Sequence, residues 1–134
     1  MDGHCPGQPL AQPILRHGSV AALGTDEASR LGRKALRRRS ARLNLFGPDL
    51  GQDGVWNILL ELLIAQGEGR LTPIKCLWLA SGLPQSTALR WVNYLVSRGY
   101  AHRKLDPSDG RRQFITLDDD LELRLVQFLR ETEE

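Results

Sequence analysis

The densest run of apolar positions lies between Val55 and Ala65, where Val55, Trp56, Ile58, Leu59, Leu60, Leu62, Leu63 and Ile64 leave Asn57 and Glu61, one turn apart, as a polar edge. This pattern predicts a central, mostly buried helix. Asp53 is placed to cap it after the turn-forming stretch Phe46-Gly-Pro-Asp-Leu-Gly-Gln-Asp-Gly54. Gly67-Glu-Gly69-Arg70 ends it, and Leu71-Thr72-Pro73 restarts the chain, with Thr72 as N-cap and Pro73 at the first helical position of a helix reaching about Ala80. Ser81-Gly82-Leu83-Pro84 has room only for a tight turn. Beyond it, Ala88, Trp91, Val92 and Leu95 recur at the spacing of one helical face, which predicts a helix over 85–98 that Gly99 stops.

Tyr100–Leu105 and Arg112–Leu117 then read as two short strands, joined into a hairpin by the turn formers Asp106-Pro-Ser-Asp-Gly110. Asp118, with Asp119 and Asp120 in the first turn, opens a last helix carrying Leu121, Leu123, Leu125, Val126, Phe128 and Leu129. Nearer the N-terminus, Thr25 as cap and Asp26 and Glu27 ahead of a basic run predict a helix over about 26–44, with a thin apolar stripe of Leu31, Leu36 and Leu43 that needs a partner surface. Residues 1–25 show no sustained period and read as a flexible tail.

The chain has 134 residues, 41% hydrophobic and 25% charged, which fits one soluble domain plus a tail and excludes collagen-like, disulfide-dense and strongly disordered classes. Its uninterrupted apolar stretches, such as Leu62 to Ala65, are far below the ~20 residues that span a bilayer. Pro6, Pro9 and Pro13 stand where a signal peptide would need a continuous apolar segment. With only Cys5 and Cys76, far apart in sequence, no disulfide framework is implied, and the expectation is a cytoplasmic, nucleoid-associated protein. The formal net charge of +2 hides a polarised chain. Arg30, Arg33, Lys34, Arg37, Arg38, Arg39 and Arg42 follow one another with no acid among them, whereas Asp118, Asp119, Asp120, Glu122, Glu131, Glu133 and Glu134 crowd the other end.

Helix, helix, tight turn, helix, hairpin, helix is a mainly α arrangement with a small β-hairpin (α+β), the layout of a winged helix-turn-helix. In it the third helix can enter a DNA major groove, and a basic hairpin, the wing, can reach phosphates or the neighbouring minor groove. With Ala88, Trp91, Val92 and Leu95 turned inward, the outer face of helix 85–98 carries Gln85, Ser86, Arg90 and Asn93, with Thr87 at its edge, and no acid. Arg pairs bidentately with guanine, Asn and Gln with adenine, and Ser or Thr with bases or phosphate. The hairpin adds Arg103, Lys104, Arg111 and Arg112.

Gly82-Leu83 followed by Ser86-Thr87, Arg90 and Leu95, the helix end Arg98-Gly99, and the hairpin Asp106-Pro-Ser-Asp109-Gly-Arg111-Arg112 leading to Ile115-Thr-Leu117 together resemble winged-helix transcription regulators of the MarR type. The resemblance covers roughly Trp56 to Phe128. It implies an Asp-x-Arg wing in which Asp109 orients a nearby Arg while Arg111 or Arg112 reaches the minor groove. It also implies a homodimer, built from the N- and C-terminal helices, that sets two recognition helices on double-stranded, pseudo-palindromic DNA. The domains expected are a tail over 1–25, a basic helix over 26–46 that could serve as a dimerisation or DNA-backbone arm, and a winged-helix DNA-binding domain over 47–134. Two departures stand out. Trp78 occupies a place where a helix-turn-helix usually has a small residue, and the last helix is short, so that the dimer would rest more on residues 26–46.

Plainer roles compete for the same residues. Arg90 could be only a solubilising charge, and Gln85, Ser86 and Thr87 could merely cap a helix start. The run Arg30 to Arg42 could bind DNA backbone, pack on a partner subunit or remain a solvated face. Trp56, Trp78 and Trp91 read as core, although the pocket of an unknown small-molecule effector could recruit one. His4 and Cys5 lack the two further ligands of a closed metal site, and Cys76 reads as a buried inert thiol ahead of an oxidant sensor. Asp118 to Asp120 read as helix-start acids. No cofactor is implied, and catalysis is not expected: Gly-x-Ser-x-Gly is absent, Gly67-Glu-Gly69 lacks a third glycine and a preceding strand, and His102 has no catalytic partner in view. The expectation is a sequence-specific DNA-binding transcriptional regulator. Its rival is a winged-helix module that binds a protein partner.

Overall fold

The computed structural model describes residues 24–132, which fall into two compact units, 24–51 and 52–132. The tail, His4 and Cys5 lie outside the described residues, apart from Gly24 and Thr25 at its end. None of the described helices is long and apolar enough to cross a membrane.

In the first unit, helix α1 spans Thr25–Leu50 and begins one residue before the expected start, so the cap position falls to Gly24 rather than Thr25. The Gly24 carbonyl accepts the Glu27 and Ala28 N–H groups at 3.1 and 3.2 Å. The helix is broken at Gly47 (φ 85°, ψ 169°), because the following Pro48 disfavours helical backbone in the residue before it. The expected turn chemistry there therefore yields a kink and one further turn, closed by the Gly51 N–H on the Gly47 carbonyl and the Arg42 guanidinium on the Gly51 carbonyl, both at 2.9 Å. Leu31, Leu36 and Leu45 are exposed.

The second unit contains α2 (Asp53–Glu68), β1 (Thr72–Pro73), α3 (Ile74–Ser81), α4 (Gln85–Ser97), β2 (Ala101–Leu105), β3 (Gln113–Leu117) and α5 (Asp119–Thr132). Val55, Ile58 and Leu59 of α2 are wholly buried, and Leu77, Leu95, Leu117 and Leu125 supply the core from α3, α4, β3 and α5. The Trp56 and Phe128 rings meet edge to face, 5.7 Å apart. The last helix starts as expected, with Asp118 Oδ2 accepting the Leu121 N–H at 3.2 Å.

Several expectations change. The residues 71–73 do not simply restart a helix: Thr72 and Pro73 form a short strand opposite Ile115 and Phe114, so the hairpin is part of a three-stranded antiparallel sheet in the order β1-β3-β2. Thr72 is buried instead of capping, and Pro73 takes the cap position at the sheet edge, where its missing N–H is tolerated. Asp53 is the first residue of α2 rather than its cap. Glu61 is not a polar edge: it is only 3% exposed, facing Arg70 at 3.7 Å. Burial pushes its carboxyl pKa up, and the Arg70 charge opposes that shift. Trp91 is half-exposed and lies edge to face on Tyr94, 5.3 Å between centroids. Trp78 is likewise only partly buried, beside the fully buried Leu77. Cys76 is buried as expected, but it is disulfide-bonded rather than a free thiol.

One close approach positions the helix-turn-helix. A Cβ added at Gly54 would lie 2.6 Å from Leu83 Cδ1 and 2.7 Å from Leu83 Cγ, so the first turn of α2 admits the loop before α4 only because residue 54 has no side chain. Gly54→Ala is expected to destabilise by about 1 to 3 kcal/mol through overpacking, against the roughly 1 kcal/mol that helix propensity would return. Denaturant unfolding of Gly54→Ala, Leu83→Ala and the double variant checks this: the cost of the alanine at 54 should largely vanish when Leu83 is truncated.

Candidate nucleic-acid interface

Helix α4 owes its placement to the turn that precedes it. Ser81 Oγ donates to the Trp78 carbonyl at 2.7 Å and accepts the Leu83 N–H at 3.0 Å, which ties the end of α3 to the loop. Pro84 then sets the start of α4, its carbonyl taking the Ala88 N–H at 2.9 Å, and no side chain caps the N-terminus. Ala88, Val92 and Leu95 face the core. Gln85, Ser86, Arg90 and Asn93 are exposed together, and Thr87 is half-buried at their border.

The hairpin turn is closed by its own acids. Asp106 Oδ1 accepts both the Ser108 N–H and the Ser108 hydroxyl at 2.8 Å. The Asp106 N–H donates to the Arg112 carbonyl at 3.0 Å, and the Arg112 N–H donates to the Asp109 carbonyl at 2.9 Å. The Ser108 hydroxyl and amide, aided by the Arg112 charge, hold the Asp106 carboxyl below its usual range. Asp109 Oδ1 takes the Arg111 backbone N–H at 3.1 Å and lies 3.3 Å from its guanidinium Nε. Arg111 is nonetheless 93% exposed. Arg112 is held differently, 3.8 Å from Asp106 Oδ2 and 5.5 Å above the Phe114 ring. The structure therefore distinguishes two arginines that the sequence left as alternatives: Asp109 is beside Arg111, and Asp106 beside Arg112.

Lys104 is exposed on β2, and Arg103 on the same strand bonds to Asn93 of α4 and to Gln113 of β3. Two residues at this surface, Gln113 and Tyr94, were not singled out from sequence. Gln113 shares a face with Ile115, the residue paired with Arg103, so strand alternation could have found it. Tyr94, with Arg98 5.5 Å over its ring, and the Arg103 link to Asn93 carry no comparable signal. His102 does have an acidic partner, Asp118 Oδ1 at 3.1 Å. That carboxylate is lowered in pKa mainly by the His102 hydrogen bond, and its other oxygen caps α5.

The described part of α1 presents Arg30, Arg33 and Arg37 along an open depression of about 510 Å³ with Asp26 and Ser29. Among the described residues, no group of three or more His, Cys, Asp or Glu side chains is placed to hold a metal ion.

No protein-family model matches the chain, and no curated protein matches it in sequence. Solved structures do. A probable transcriptional regulator from Pseudomonas aeruginosa is 27% identical, with a TM-score of 0.53 over 76% of this chain and 75% of its own. A MarR family transcriptional regulator from Silicibacter pomeroyi is 22% identical, with a TM-score of 0.54 over 86% of this chain and 74% of its own. The fold is that of the MarR-type winged-helix regulators. Overoxidized AbfR, solved bound to DNA, shares it at 20% identity, with a TM-score of 0.54 over 80% of this chain and 73% of its own. In the terms of this winged-helix fold, α4 is the second helix of the helix-turn-helix and β2 and β3 form the wing hairpin.

The wing turn should respond to acid in a defined direction. Because the folded Asp106 carboxyl titrates below its ordinary value of 3.8, the order that it lends the turn is complete above that pH and is lost as pH falls through the lower folded value. The Ser108 amide signal, followed by NMR, should therefore shift with a midpoint below 3.8, and Asp106→Asn should abolish that shift. A midpoint at or above the ordinary value would show that the turn does not depend on this carboxylate.

Proposed function

We infer that this protein is a sequence-specific DNA-binding transcriptional regulator, acting in the cytoplasm on chromosomal DNA. The observation that carries the inference is the exposed face of α4, Gln85, Ser86, Arg90 and Asn93 without an acid, beside a wing whose own acids are occupied within the turn. An acid-free recognition helix can approach the electronegative edges of the major groove without repulsion. The wing then supplies Lys104, Arg111 and Arg112 to phosphates or the minor groove. Arg111 is the leading wing contact, since Asp109 aims it while leaving it exposed. The solved regulators of the same fold, one bound to DNA, support the reading.

The protein acts as a homodimer in this proposal, with two recognition helices on inverted half-sites. Exposed Leu31, Leu36 and Leu45 on α1 and exposed Leu123 on α5 favour it, because each leaves apolar surface on an element from which such regulators build their interface. A small-molecule effector would act by shifting the dimer between DNA-binding and non-binding arrangements. The alternative, a protein-binding winged helix without specific DNA binding, is favoured by one observation: Leu105, at the end of the wing strand, is exposed and apolar.

Selection from a randomised duplex library at about 0.15 M salt should return a motif of two inverted half-sites about one helical turn apart. Arg90→Ala should lose about 1 to 3 kcal/mol of discrimination at one base pair. Arg111→Ala should weaken binding to all sequences and reduce the slope of log affinity against log salt by about one. A folded wild-type protein that selects no motif would transfer the reading to the protein-binding module.

A further inference from the structure

Arg103 of β2, Asn93 of α4 and Gln113 of β3, all exposed, meet where the wing joins α4. The guanidinium donates through Nη2 to Asn93 Oδ1 and through Nη1 to Gln113 Oε1, the latter at 2.7 Å. A guanidinium has donors and no acceptor, so each carboxamide can meet it only through oxygen, and each NH2 group is turned away from the cation. The geometry points to Arg103 as a positioning residue that holds the Asn93 and Gln113 carboxamides with their N–H donors outward, so that this junction reads the acceptor edge of guanine in place of adenine.

The argument is one of donor and acceptor matching. An asparagine pairs with adenine through both halves of its carboxamide, the oxygen accepting from N6 and the NH2 donating to N7. In this structure the Asn93 oxygen is turned toward Arg103, away from the edge that a base would present, and the NH2 half is left to face outward. Guanine shows two acceptors, N7 and O6, in the major groove, and a donor-only surface suits it. A lysine at 103 could not reproduce the arrangement, because it is a point charge on a flexible stem, whereas the planar fork engages two carboxamides at once. Two of the guanidinium's five N–H groups are spent inside the protein, and in this proposal Arg103 serves base choice through Asn93 rather than as a phosphate contact. This inference rests on the DNA-binding reading above and assigns a base preference within it.

The test compares wild type, Arg103→Lys, Arg103→Ala and Asn93→Ala, all at exposed positions where folding should survive. Without DNA, side-chain NMR should show the Asn93 and Gln113 NH2 signals of wild type shifted from those of a free carboxamide and returned toward it by Arg103→Lys. With DNA, library selection should show a guanine at one position of each half-site that Arg103→Lys weakens by about tenfold. Arg103→Ala, which frees the Asn93 carboxamide, should move that position toward adenine. The salt slope should be the same for wild type and Arg103→Lys, and Asn93→Ala should abolish the guanine preference at that position with Arg103 still in place.

Unchanged base preference in Arg103→Lys and Arg103→Ala, or a salt slope lowered by about 0.9 in Arg103→Ala with preference retained, would make Arg103 a phosphate contact and overturn the proposal. Carboxamide signals indifferent to Arg103→Lys would overturn the lock alone. A wild-type protein that selects no motif overturns the DNA reading, and the base assignment with it, whatever those signals show.

Discussion

The winged-helix unit depends on how closely α2 can be approached. Val55, Trp56, Ile58, Leu59 and Leu62 are buried so deeply that α2 serves as the centre of the core, and Trp56 brings Phe128 of the last helix against the same element. Dispersion and removal of apolar surface from water supply this attraction, which has no direction of its own. Direction comes from shape. Gly54 leaves a recess that Leu83 fills, and Leu83 stands in the loop from which α4 starts. The angle at which α4 leaves the core is thus tied to a missing methyl group on a different helix.

Polar groups are divided just as sharply. Acids that would repel a polyanion are consumed locally: Asp106 by the Ser108 amide and hydroxyl, Asp109 by Arg111, and Asp118 by His102 and the start of α5. Each of these bonds also shapes backbone, so the same carboxylates that build the turn and the helix cap are the ones withdrawn from the surface. Arg112 is restrained by a carboxylate and a ring, whereas Arg111 is aimed and left in solvent. Neighbouring residues of one type thereby acquire different surroundings.

Much of this was legible in the sequence where the signal is local. Helical spacing located α2 and α4, Gly and Pro located the turns, and the acids ahead of Leu121 located the α5 cap. Wrong or missing features share a cause. Thr72-Pro73 looks like a helix start because both residues suit one, yet two residues have no period to announce a strand, and only β3 passing alongside makes them so. Glu61 has the chemistry of an exposed edge and is buried because Arg70, nine positions later, folds back toward it. Trp91 fits the apolar stripe of α4 and is half-exposed because Tyr94 offers it an aromatic partner at the surface.

By itself the sequence determined the order of elements, the acid-free outer face of α4 and the turn chemistry of the wing, because each depends on residues within a few positions of one another. The tertiary structure decided what depends on distant segments meeting: the third strand, the burial of Glu61, the recess at Gly54 and the joining of Asn93, Arg103 and Gln113. A side chain's type sets which bonds it can make. Which of them it does make is fixed by the neighbours that packing brings within reach, and for Asn93 and Gln113 those neighbours come from another element.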